Sequence, residues 1–205
     1  MTQLSVLAAP MSPWVRLAHT PVILRALEIA AAGGHTLQVI GHPDGGRATL
    51  EEVARTLGIA ARWTLPCPCG SLGDYATACC CSAKLVERWR RRIAVTEMTV
   101  EAVRPNEAGL KSRERWPSDD RERAMARAAA VRMIERRAFP PLADGAGRLL
   151  ADAVSRIPLG ADARDTVVRV AETIALLAGA EVLSASHVAE AVQYRMLEFR
   201  GMVRG

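Results

Sequence analysis

The chain has 205 residues, half of them hydrophobic, 24% charged and only 4% aromatic, which excludes a disordered polyelectrolyte and implies a core of aliphatic side chains and alanine. It carries a net charge of +5, and all but Lys84 and Lys111 of its 27 basic residues are arginine, a balance that permits contact with nucleic acid without demonstrating it. No apolar run reaches the roughly 18 residues of a membrane helix, because Arg25 and Glu28 interrupt one candidate and Glu172 and Glu181 the other.

Residues 1–13 hold two prolines without periodicity and read as a loose arm with no secretion leader. A helix is predicted over residues 15–32, with Val15, Val22, Ala26, Ile29 and Ala30 near one face, Pro21 starting or kinking it and Gly33-Gly34 ending it. Residues 36–40 (TLQVI) form a short strand and residues 41–47 a Gly/Pro turn. A helix follows over residues 50–57 and a second strand over 62–65. After a cysteine-rich loop at 66–82, Ser82 caps a helix over 83–93, and residues 97–103 alternate as a third strand. Residues 105–117 read as a linker. Helices are predicted over 119–138, 142–157, 163–178 and 185–199. In the third of these the apolar stripe is Val167, Val170, Ala171, Ile174, Leu177 and Ala178. In the fourth it is Val188, Val192, Met196 and Phe199. The fold class is therefore α/β over residues 14–104, with about three parallel strands, followed by an all-α bundle over 118–200.

All five cysteines lie between residues 67 and 81. A disulfide framework would spread them, so the clustering points to a metal site in a reducing compartment such as the cytoplasm. Cys67-x-Cys69 and Cys79-x-Cys81 supply two thiolate pairs, the donor set of tetrahedral zinc. Cys80 makes the second pair ambiguous, and the competing reading is a set of unligated thiols.

A second motif is Gly41-His-Pro-Asp-Gly45-Gly46-Arg47-Ala48-Thr49, placed between a strand and a helix as a phosphate loop is. Gly41, Gly45 and Gly46 keep glycines where backbone N–H groups approach phosphate. Arg47 stands where the lysine belongs and Ala48 where magnesium needs a hydroxyl. Thr49, with Glu52, suits a helix capping box. Arg47 could still meet an anion, but ATP with magnesium is set aside as a working cofactor. The competing reading is an ordinary strand-to-helix turn. A third feature is the basic run Lys84, Arg88, Arg90, Arg91 and Arg92, opposed only by Glu87 and interrupted by Trp89, a candidate contact for DNA or a partner protein. The histidines at 19, 35, 42 and 187 show no ligand spacing, and no catalytic triad or carboxylate pair stands out.

Three stretches resemble the ComM/YifB type of magnesium-chelatase-like AAA+ ATPases: RALEIAAAGGHTLQVIG at 25–41, PCPCGSLGDYATACCCSAKLVERWRRR at 66–92, and the helical segment 167–195. The resemblance implies a reduced AAA+ core with the phosphate-loop strand central, a helical lid, and a setting in DNA recombination, natural transformation or branch migration. It also places the departures. Arg47 and Ala48 replace the family's lysine and threonine, and the acidic Walker B segment is missing before the cysteine loop. Leu65 stands for an asparagine, AVTEM at 94–98 replaces the arginine-finger segment, and Asp162 replaces the lid arginine that would sense nucleotide. The expectation is a catalytically inactive paralogue with a structural or regulatory role, docking on DNA or an active AAA+ ring, with oligomerisation open. A residual ATP-binding switch and a stable decayed paralogue without a partner are the alternatives.

Overall fold

The computed structural model describes residues 21–93, 96–102, 104, 140–156 and 161–195. The predicted arm, the linker, the helix over 119–138, and the ends of the helices predicted over 15–32 and 185–199 lie wholly or partly outside the described residues.

Helix α1 (Pro21–Gly33) leads into strand β1 (Leu37–Gly41), a short 3-10 turn (Pro43–Gly45) and helix α2 (Arg47–Leu57). Strand β2 (Ala61–Thr64), helix α3 (Ala83–Arg90) and strand β3 (Met98–Ala102) complete the α/β part. Helices α4 (Asp144–Arg156), α5 (Ala161–Leu177) and α6 (Ala185–Gln193) form the helical part. The sheet is parallel with order β2-β1-β3, so β1 is central; Leu37 pairs with Ala61 on one side and Met98 on the other. Among the described residues no helix is long and apolar enough to cross a membrane.

Every residue of β1 is buried, whereas β2 at the edge is only partly covered. Helix α1 packs on β1 and β3 and on α5, and α6 packs on both α4 and α5. One apolar cluster therefore runs from Leu37, Val39, Met98 and Val100 of the sheet through Ile23 and Leu27 into Val167, Ile174 and Val188 of the helical part.

Three local expectations are corrected. Val22 is 57% exposed rather than part of a buried face. From Ala26 to Ala32 every residue is buried, because α1 is enclosed by sheet and helix together and has no single stripe there. Thr49 is not a cap: Gly46, at φ 106°, is the N-cap, α2 begins at Arg47 with no side-chain cap, and Thr49 is buried in its first turn. A left-handed glycine turns the chain into the helix three residues earlier than Thr49 could. Ala178 lies past the end of α5 and is exposed, so the stripe ends with half-buried Leu177.

Candidate metal centre

The cysteine loop is fastened at both ends. Trp89 of α3 donates its indole N–H to the carbonyl of Leu65, 2.9 Å away, and Ser82 caps α3 by accepting from the Leu85 N–H at 3.3 Å. Between these points the Gly70 N–H donates to the Cys67 carbonyl (3.0 Å), and Gly70 and Gly73 both sit at φ 81°. These left-handed turns fold the chain back so that the first cysteine pair meets the second.

The Sγ atoms of Cys67, Cys69, Cys79 and Cys81 all lie within 4.8 Å of one another. Cys67 to Cys69 is 3.3 Å, Cys69 to Cys79 3.6 Å and Cys67 to Cys79 3.7 Å. Tetrahedral zinc with bonds of about 2.3 Å separates its sulfurs by about 3.8 Å, so the four thiols could hold such an ion after small adjustments. Cys67 is buried, Cys79 and Cys81 half-buried, and Cys69 and Cys80 exposed. Cys80 is outside the cluster, which resolves the ambiguity in the second pair.

Backbone N–H groups of Ser71 and Cys80 point at Cys69 and, with the Cys67 thiol, lower its pKa to about 5. Cys81 also receives a backbone hydrogen bond, from Cys69, but burial and the sulfurs of Cys69 and Cys67 outweigh it and push Cys81 up to about 12. Cys79 is raised too: a backbone hydrogen bond from Cys81 opposes the rise, and burial and the same two sulfurs overcome it. Without a cation Cys69 therefore favours its thiolate while Cys79 and Cys81 favour their thiols. A divalent ion reverses that preference by deprotonating its ligands.

The Gly41–Arg47 turn lies against this loop: a Cβ on Gly70 would meet Pro43 at 3.4 Å. Its backbone is partly engaged within itself. The Gly45 N–H donates to the His42 carbonyl (2.8 Å), and the Asp44 N–H to His42 Nδ1 (3.2 Å). Trp63 of β2 covers the turn and donates to the Gly41 carbonyl at 3.1 Å. A Cβ at Gly41 would come within 2.6 Å of the Ala102 carbonyl, so this glycine is required by close packing. Arg47 forms an ion pair with Glu51 at 2.8 Å along the exposed side of α2.

Lys84 and Arg88 of α3 and its C-cap residue Arg91 follow helical i, i+4, i+7 spacing and are exposed, as is Arg92 just beyond; Arg91 pairs with Glu87. Arg90 is half-buried and lines a separate cleft with Asp74 and Arg104, so the basic run divides between two surfaces. His35 and His187 serve structural roles, in a buried contact with Thr173 and in the capping box of α6. Sequence reasoning missed Asp74 and Arg104. The only signal for Asp74 is its place beside Gly73 in the cysteine loop, and for Arg104 its place just after β3.

Residues 88–195 match the family described as magnesium chelatase, subunit ChlI C-terminal, a span of just over half the chain. No curated protein matches the chain.

Proposed function

The chain belongs to the family of the magnesium chelatase ChlI subunit's C-terminal region, and from that premise we propose that it is a ComM-like AAA+ relative that has given up ATP hydrolysis and acts by docking. The observation that carries this reading is the residue pair Arg47-Ala48 at the start of α2. Arg47 stands where a phosphate-loop lysine would reach the β- and γ-phosphates and pairs with Glu51 along the exposed side of its own helix, and the next residue, Ala48, has no hydroxyl for magnesium. Phosphoryl transfer relies on positioning and charge stabilisation, and both are weakened here.

In this reading zinc, held by Cys67, Cys69, Cys79 and Cys81, supplies structural cross-linking and no chemistry. The chain's own residues do the docking. The cysteine loop and the Trp89–Leu65 bond fix α3, and Lys84, Arg88 and Arg92 offer cations to the phosphates of DNA. An acidic face on an active AAA+ ring is the alternative partner.

Anisotropy titrations with a labelled duplex at several salt concentrations test the docking surface. Replacing Lys84, Arg88 and Arg92 together by alanine is expected to weaken binding and to lower the salt slope by about one per lost phosphate contact. An unchanged slope removes α3 as the DNA surface and leaves the AAA+ ring as the partner to test.

A further inference from the structure

A cleft of about 260 Å³ opens where β1 and β3 end, beside their last residues Gly41 and Ala102. From β1 the chain crosses through α2 to β2 on one side, while β3 pairs on the other side. This is a topological switch point, the place where parallel α/β sheets form their binding crevices.

The wall contributed by the cysteine loop carries Asp74, whose side chain is 1% exposed. Neither of its carboxylate oxygens accepts a hydrogen bond. Arg104 faces it, with Nε 3.3 Å from Oδ1, but that N–H is likewise buried and donates no hydrogen bond. The pair is close and misaligned, so a buried acceptor and a buried donor both stand ready for a third group. Arg104 is held in place by the Asp44 carboxylate at 3.3 Å, and its guanidinium lies against the His42 ring.

The lining is balanced in charge, with Arg90 and Arg104 against Asp74 and Glu101. A polyanion such as a nucleoside triphosphate would meet two carboxylates there. A metal ion is disfavoured as well, since among the described residues the four cysteines are the group of donors close enough to share one. The volume falls below the roughly 300 Å³ at which pockets for drug-sized ligands begin. We infer that this cleft binds a small zwitterion of amino-acid size, its ammonium group donating to Asp74 and its carboxylate accepting from Arg104. This goes beyond the docking reading and holds whether or not α3 contacts DNA.

The test is calorimetry of the full chain with each standard amino acid at millimolar concentration. For any that binds, the matching amine without the carboxylate and the matching acid without the amine follow. Binding of at least one amino acid is expected, with both truncated probes weaker. Asp74→Asn keeps the shape and should weaken binding by about tenfold or more. Amide NMR shifts at Gly41, Gly73 and Ala102 on adding the amino acid give a second readout that needs no variant. The inference is overturned if no amino acid binds, if the acid without the amine binds as well, if Asp74→Asn binds unchanged, or if those amides do not move.

Discussion

His35 Nε2 lies 2.9 Å from the hydroxyl oxygen of Thr173, joining the turn before the central strand to helix α5. The Thr173 hydroxyl donates to the Arg169 carbonyl at 3.1 Å, so it accepts from His35. This bond also explains Gly33, where a Cβ would fall 2.2 Å from the His35 ring and 2.6 Å from Thr173. Thr173→Val keeps the volume and removes the acceptor in a buried site. It is expected to lower stability by about 1–3 kcal/mol in urea denaturation. A change within a few tenths would mean that the contact contributes nothing to joining the two parts.

Glu97 is the second joint between these parts. Its carboxylate accepts from the Thr36 N–H (2.8 Å) and from Arg169 (2.9 Å), and lies 3.7 Å from His35 Nδ1. Burial alone would raise its pKa, but the Thr36 N–H and the charges of His35 and Arg169 outweigh burial and hold it below its ordinary 4.5. A depressed folded pKa stabilises the native state above the unfolded value, and that contribution is lost as pH falls through the folded one. Wild-type stability should therefore drop as the pH goes below about 4.5, and Glu97→Gln should be less stable at neutral pH with a flatter acid limb. Parallel acid limbs in the two proteins would contradict this assignment.

Asp74 and Arg104 tie the cysteine loop to the end of β3, and Arg104 reaches on to Asp44 and His42 in the turn. Arg104→Ala leaves a buried carboxylate without its counter-ion, at an expected cost of about 3 kcal/mol. Adding Asp74→Asn should recover a large part of that loss, which a double-mutant cycle reads directly. Simple additivity of the two changes would argue that the pair is not coupled.

Metal binding separates the five cysteines. Cys67→Ser, which changes the buried member of the cluster, should lose the metal and lower the melting temperature, and chelation of the wild type should do the same. Cys80→Ser should keep about one metal per chain. Equal metal loss in both variants would place Cys80 among the ligands.

The three strands, the described helices and the paired cysteines were legible in the sequence because they rest on short-range signals, whereas the central place of β1 came only from the family resemblance. TLQVI between glycines marks a buried strand, and Cys-x-Cys twice over marks a donor set. The position of α2's first turn was not legible, because a capping-box pattern at Thr49 competed with a left-handed glycine at 46, and glycine's φ is invisible in sequence. Val22 misled because it lies in the first turn of α1, ahead of the stretch from Ala26 to Ala32 that the sheet and the helical part enclose. The Asp74–Arg104 contact joins residues thirty positions apart, and no local pattern encodes such a pairing.

Replacement of an ATPase by a zinc-held docking protein can be checked in one experiment: ATP and magnesium are titrated into the purified chain in a calorimeter, with metal content and phosphate release measured on the same sample. About one zinc per chain, no release of phosphate and no heat of binding are expected, because Arg47 replaces the phosphate-loop lysine and Ala48 offers magnesium no ligand. Saturable ATP binding with phosphate release that is lost in Arg47→Ala would contradict it.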